Sequence, residues 1–207
     1  HDPNETWKTN VVRVSNAFYL KGCHHPGQIS DVPASITLLK ALEPIGIFHA
    51  DPVPRIICSE AVLKSGRIAL HPGSGSESKN WPEEHWCQLI ALLLKQGNVK
   101  LVLVGGEAES ERVRRLASKF PIPRLRLSLN EPLARVAREL AGCRIFVGHD
   151  SGITHLAAAL GVRCVVLWAQ TNEKVWRPLG EMVHILKPYN NTTPVGPRAV
   201  FQIMENL

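Results

Sequence analysis

Residues 144–161, RIFVGHDSGITHLAAALG, decide the fold. Arg144 to Gly148 is a short β-branched and aromatic run. Helical character takes over directly after it and continues through Leu160, with Asp150 or Ser151 placed to cap the first turn and Gly161 placed to close the last. A second apolar run, Arg163 to Trp168, follows at once. Strand, helix and strand joined this closely form a βαβ unit, and such a unit builds a parallel sheet.

The same alternation extends in both directions. Strands are expected at Arg67 to His71, Lys100 to Val104, Arg124 to Ser128 and Val183 to Leu186, in addition to the two just named. The helix expected over Pro82 to Gln96 has proline suited to its first position, Glu83 and Glu84 at the positive end of the dipole and Gly97 to end it. Others are expected at Ala108 to Lys119, Pro132 to Ala141 and Arg198 to Asn206. Six strands with helices between them over about 120 residues make an α/β fold with a Rossmann-like parallel sheet. Residues 1 to 66 read differently: Pro3, Pro26, Pro33, Pro44, Pro52 and Pro54 punctuate them, and only Ser35 to Leu42 suggests a helix.

Composition narrows the function. Of 207 residues, 44% are hydrophobic and 20% charged, enough for an ordinary globular core. The net charge of +6 favours anionic ligands or surfaces. A nucleic-acid groove would want clustered lysines and arginines with aromatics between them; here the charges are scattered and only 6% of residues are aromatic, so nucleic acid is not an expected partner. Cys23, Cys58, Cys87, Cys143 and Cys164 are odd in number and widely spaced, which fits a reducing cytosol better than a secreted disulfide scaffold. No apolar run reaches the roughly 18 residues of a membrane span, and neither a membrane span nor a signal peptide is expected from these residues. Asn190-Asn191-Thr192-Thr193 reads as a polar turn. The chain starts at His1 and its methionines are Met182 and Met204, so it is expected to be the later part of something longer.

Ligands of such a sheet sit beyond the carboxyl ends of the strands, and three turns there carry unusual residues. The first, His71-Pro72-Gly73-Ser74-Gly75-Ser76-Glu77-Ser78-Lys79-Asn80-Trp81-Pro82, offers close backbone approach at its glycines, serine donors, a helix N-terminus and the Lys79 ammonium. That is an anion cradle without the spacing of a P-loop, and no G-x-G-x-x-G occurs. In the second, Val104-Gly105-Gly106-Glu107-Ala108-Glu109, a carboxylate either accepts from ribose hydroxyls or complements the helix dipole. In the third, Asp150 follows a buried strand and either orients sugar hydroxyls or shares the cap with Ser151. His149 reads more readily as a locally satisfied polar group. A Ser-His-Asp hydrolase lacks its G-x-S-x-G elbow. The pair His24 and His25 beside Cys23 finds no matching second ligand pair, so no metal site is expected. Arg112, Arg114, Arg115 and Lys119 read as a solvated helix face.

Taken together, His71 to Pro82, Val104 to Glu107 and Gly148 to Ala159, with the later Trp176-Arg177-Pro178-Leu179-Gly180, resemble the C-terminal half of the ADP-heptose lipopolysaccharide heptosyltransferases, glycosyltransferase family 9. The resemblance runs from about Ser35 to the end. It implies a GT-B architecture of two Rossmann-like domains facing across a cleft. Residues 1–48 would be a remnant of the N-terminal acceptor domain, 49–66 the linker, 67–190 the nucleotide-sugar-binding domain and 191–207 a C-terminal helix. Lys79 and Asp150 would be catalytic. Ser74, Gly75 and Ser76 would line the diphosphate, with Lys79 neutralising it as it leaves. Glu109 would hold the ribose, Ser151 and Gly152 would join Asp150 on sugar and diphosphate, and His155 would lend support.

The implied chemistry is metal-independent, inverting transfer of heptose or a related sugar from an ADP-sugar to a lipopolysaccharide or other cell-envelope glycan. No cofactor beyond the donor is implied, the protein is expected in the cytoplasm with peripheral contact at the inner face of the membrane, and nucleic acid is not an expected partner. Some family members carry a hydroxyl residue where this chain has Gly75, which would leave a phosphate contact there to the backbone. The expected general base is an N-terminal aspartate that neither Asp2 nor Asp31 matches, so the chain by itself is expected to bind donor without completing transfer. A nucleotide-sugar epimerase of the same architecture, using Asp150 and His155 more directly, and a non-catalytic nucleotide-sugar-binding module are the alternatives.

Overall fold

The structure, a computed structural model, describes residues 31–58, 66–188 and 195–207. Cys23, His24, His25, Asp2 and the Asn190 to Thr193 turn lie outside them. The chain divides into two compact units: one takes in residues up to 52 together with 172–177, the other 53–171 with 178–207.

The larger unit is a six-stranded sheet in which every adjacent pair is parallel. Its strands are β1 (Arg67–His71), β2 (Lys100–Gly105), β3 (Leu125–Leu129), β4 (Cys143–His149), β5 (Arg163–Leu167) and β6 (Val183–Leu186). Their spatial order, β3-β2-β1-β4-β5-β6, is that of a Rossmann sheet and reverses direction between β1 and β4. All six strands expected from the sequence are present, with ends shifted by about a residue, the usual reach of boundary uncertainty.

Helices close the unit on both faces. The first helix in the chain, α1 (Ala34–Leu39), belongs to the smaller unit; α2 (Glu83–Lys95), α3 (Ser110–Ser118), α4 (Leu133–Ala141) and α5 (Gly152–Ala159) follow. The short α6 (Glu173–Trp176) falls in the smaller unit, and α7 (Pro197–Glu205) ends the chain. Period-2 alternation sends Ile68, Leu70, Leu101, Leu103, Ile145 and Val147 to one core, where α2 contributes Trp86, Leu89, Ile90 and Leu93, α3 adds Val113 and Leu116, and α7 adds Val200 and Met204. The alternate positions Ala69, Val102, Phe146 and Val166 are also buried, on the face covered by α4 and α5. Both faces covered is the reason these strands read as continuous apolar runs.

Chain punctuation works nearly as the residue types suggest. Gly97 and Gly161 take left-handed φ values of 67° and 68° just past α2 and α5, a conformation that costs glycine little. One expectation is corrected. Pro82 does not occupy the first helical position but stands outside α2 as its N-cap with ψ 138°, and Pro132 does the same for α4. The extended ψ of each proline sets the angle at which chain enters helix, while the missing N–H costs nothing at a position where no intrahelical donor is needed.

In the smaller unit, Pro33 leads into α1 and a 3-10 turn over Lys40–Ile45 that ends at Gly46 with φ 81°. Asp31 accepts from Asn172 Nδ2 at 2.8 Å and from Lys174 Nζ at 2.9 Å, and these hydrogen bonds hold its carboxyl below the usual range.

Leu103 is fully buried in β2. Leu103→Ala is expected to lower unfolding stability by about 2–5 kcal/mol. The check is the urea midpoint at unchanged slope.

Candidate functional site

The switch between β1 and β4 places the loops that follow these strands side by side, because His71 pairs in register with Gly148. The 72–82 loop leaves β1, makes a single 3-10 turn over Glu77–Lys79 and enters α2. Inside it the Ser74 hydroxyl lies 2.8 Å from Asn80 Oδ1 and 3.0 Å from the Ser76 carbonyl, so it ties the two limbs of the loop together. Ser76 and Ser78 share a hydroxyl contact at 3.1 Å. Gly75 has φ 71°, which a side chain there would strain.

Two contacts join this loop to its neighbours. Lys79 Nζ donates to Asp150 Oδ2 at 2.9 Å, with side-chain exposures of 31% and 11%. From the β2 side, Glu109 accepts from the Gly75 N–H at 3.1 Å and from the Gly106 N–H at 3.0 Å, one carboxylate oxygen to each. Its stem packs over Gly73 so closely that a Cβ on Gly73 would stand 2.0 Å from Glu109 Cγ. Glu109 therefore turns toward the cradle, while Glu107 is exposed. The Gly75 backbone N–H, the donor left in place of a hydroxyl residue, is engaged by this carboxylate.

The β4 turn caps its own helix. Ser151 Oγ accepts from the Thr154 N–H at 3.4 Å and touches the Thr154 hydroxyl, so the cap falls to Ser151 and leaves Asp150 free to meet Lys79. Gly152 opens α5 with nothing within 4 Å of a Cβ built on it. His155 sits one turn into α5, partly buried. Thus Ser74, Gly75, Ser76, Lys79, Glu109, Asp150, Ser151 and Gly152 all lie on the loops and helix starts beyond β1, β2 and β4, with His155 in the helix behind.

Below the loop two histidines are buried and neutral. His71 Nδ1 donates to the Val104 carbonyl at 2.9 Å, and burial lowers its pKa. His149 accepts from the Trp81 N–H at Nε2, 2.8 Å away, and its Nδ1 faces the Gly73 carbonyl at 3.3 Å. Burial pushes His149 down to about 4. Residue spacing does not reveal this double contact, since Gly73 and Trp81 lie 76 and 68 positions away.

Beside Lys79 opens a pocket of about 440 Å³. Trp81, Pro82, Trp168, Leu186 and Pro188 supply apolar walls, and Asn80 and Gln170 supply amides. Asn80 and Gln170 carried no expected role; Asn80 was within the quoted loop, but only the folded loop shows it meeting Ser74. The arginine face also changes character: Arg112 pairs with Glu77, and Glu83 takes both Arg115, at 2.9 Å, and Lys119, at 3.0 Å. These pairs tie α3 to the loop and to α2 rather than leaving a merely solvated face.

Among the described residues no group of three His, Cys, Asp or Glu side chains could hold a metal, and no helix is long and apolar enough to cross a membrane. Cys143 and Cys164 are buried, and burial pushes their thiols up to about 11 and about 12, which makes both poor nucleophiles.

A parallel sheet whose strand order reverses between β1 and β4, with glycine, serine and charged residues on the loops beyond that point, defines a doubly wound α/β protein, and comparison with known proteins narrows the class. Residues 48–196 match the sequence profile of glycosyltransferase family 9 (heptosyltransferase), and the chain belongs to that family. It is 34% identical over 140 residues to lipopolysaccharide heptosyltransferase 1 of Escherichia coli O18:K1:H7, covering 67% of this chain and 42% of that protein. Among solved structures it is similar to E. coli heptosyltransferase WaaC with ADP, at 30% identity and TM-score 0.63, over 69% of this chain and 44% of that one. The glycosyl transferase family 9 structure from Veillonella parvula shares the fold at TM-score 0.71 and 18% identity, over 91% of this chain and 61% of that one. The chain spans under half the length of the heptosyltransferase 1 sequence it matches.

His149 binds fewer protons folded than unfolded between its ordinary 6.5 and about 4. Its contribution to stability is complete above pH 6.5 and is lost as the pH falls toward 4, on the order of 3 kcal/mol. His71 shifts in the same direction. Denaturant unfolding across this range is expected to show a steeper loss for the native chain than for His149→Gln.

Proposed function

We propose that this chain is the donor-binding part of a glycosyltransferase that moves heptose, or a related sugar, from an ADP-sugar to a lipopolysaccharide or other cell-envelope glycan. The observation that carries the reading is the meeting of Lys79 and Asp150 at 2.9 Å beside the glycine-serine loop. An ammonium and a carboxylate so placed suit the two halves of a nucleotide sugar. The diphosphate would take loop N–H groups, Ser74, Ser76 and the ammonium, while the carboxylate, with Ser151 and Gly152, would turn to sugar hydroxyls.

Glu109 lies where a ribose can exchange for its backbone donors, and His155, one turn into α5, would lie nearby as support. The pocket beyond Lys79, with tryptophan walls and two amides, is of a size and chemistry for a sugar. Membership of the family and the ADP held by the similar WaaC support an adenine nucleotide as donor. In the reaction, an acceptor hydroxyl attacks the anomeric carbon as the bond from that carbon to the diphosphate oxygen breaks. Negative charge then grows on the leaving diphosphate, and Lys79 with the nearby helix N-termini is positioned to stabilise it.

Activation of the acceptor hydroxyl is assigned to a group outside this site, in a second Rossmann-like domain facing it across a cleft as in a GT-B enzyme. Residues 67–190 would then be the donor domain, and work at the cytoplasmic face of the inner membrane would bring it to its acceptor.

Calorimetric titration of the chain with ADP, UDP and GDP tests the reading. ADP is expected to bind most tightly, and Lys79→Ala is expected to weaken it about tenfold or more, the scale of one charge-assisted contact. Equal, weak responses to all three nucleotides, or no effect of the substitution, would remove the assignment.

A further inference from the structure

The buried histidine next to Asp150 has a chemistry that packing alone does not require. His149 is 1% exposed and edge-on to Trp86, with ring centroids 5.5 Å apart. An aromatic hydrocarbon would fill the same space. The imidazole instead offers an acceptor on one side and a donor on the other, and both are used on the 72–82 loop. Nε2 takes the N–H of Trp81, and Nδ1–H points to the carbonyl of Gly73.

Neither partner has an easy substitute. Trp81 lies before Pro82, outside the hydrogen-bond ladder of α2, so its buried N–H depends on a side-chain acceptor. Only the neutral imidazole protonated at Nδ1 serves both contacts, because the imidazolium has no acceptor. Trp86, edge-on to the His149 ring, also meets Trp81 edge to face at 5.2 Å, so the loop end, the helix start and the histidine form one edge-to-face aromatic cluster.

We propose that His149 is a positioning residue that fixes Lys79 against Asp150 by clamping both ends of the loop. Lys79 stands two residues before Trp81, and Asp150 directly follows His149. The two charged groups are therefore carried on short arms from one imidazole. Moving that anchor changes the distance between them even where the fold is intact. The role deepens the donor-site reading and rests on it for its effect on nucleotide binding, whereas the clamp itself is a property of the chain without ligand.

The test uses His149→Phe, which keeps the aromatic packing and removes both polar contacts, and His149→Gln, whose amide can accept and donate. In the chain without nucleotide, His149→Phe is expected to speed hydrogen exchange at the Trp81 amide about tenfold, the scale of one lost buried hydrogen bond. Its crystal structure is expected to show Lys79 Nζ beyond the ion-pairing range of about 4 Å from Asp150. Unchanged exchange, or a Lys79 to Asp150 contact still at 2.9 Å, would overturn the clamp.

With ADP as the probe, His149→Phe is expected to weaken binding about tenfold in the native background. It should add nothing in a Lys79→Ala background, and His149→Gln should restore most of the affinity. Additive losses would show that His149 acts through packing and not through Lys79. If the native chain binds no ADP, the donor reading fails, and the exchange and crystallographic results still decide the clamp. If His149→Phe does not fold, the same readouts are taken on His149→Leu, which also lacks both polar contacts; faster exchange at the Trp81 amide is expected, and unchanged exchange again overturns the clamp.

Discussion

The pairing of β1 with β4 is the constraint from which the site follows. Sequence neighbours β1 and β2 also pair, but β4 joins the other edge of β1 after the whole of residues 72–142, and this reversal leaves an opening above the two strand ends. Hydrogen bonds hold His71 opposite Gly148, so the residues that follow leave the sheet together. Gly148 has room for no side chain: a Cβ there would come within 2.7 Å of the Phe146 ring. The bare position lets the Phe146 ring of the same strand and the Thr154 hydroxyl of α5 lie against it.

The contact itself contributes little to folding. With Lys79 about a third exposed, solvent screening leaves an ion pair of this kind worth roughly 0–1 kcal/mol. The loop geometry is carried instead by a set of hydrogen bonds: Ser74 to Asn80, the Glu109 carboxylate to two backbone N–H groups, and buried His149 to both loop ends. Outside these, Arg112 on Glu77 and the pair of cations on Glu83 fasten α3 to the same region.

Much of this was legible in the residues. The six strands came from short apolar runs and the helices between them from periodicity and end signals, because both depend on neighbours within a few positions. The three turns stood out for the same local reason: glycines, hydroxyls and charges at strand ends are uncommon together. The two prolines at helix entrances were placed one position too far in, since proline is tolerated at either place and only the ψ of the folded chain distinguishes them. The arginines of α3 looked solvated because their partners, Glu77 and Glu83, lie more than 30 positions away.

By itself, then, the order of residues determined a parallel α/β sheet, its element sequence and the strand ends where an anion could be held. Backbone propensity and the need to bury apolar faces act over short stretches, and these features require nothing more. Only the tertiary structure decided which carboxylate meets Lys79, that Glu109 and not Glu107 turns to the cradle, that Ser151 rather than Asp150 caps α5, and that His149 fastens the loop at both ends. The cap is a local choice between adjacent side chains, but the others depend on where strands lie in space, and pairs 34 to 76 residues apart become neighbours only once the sheet has set its order.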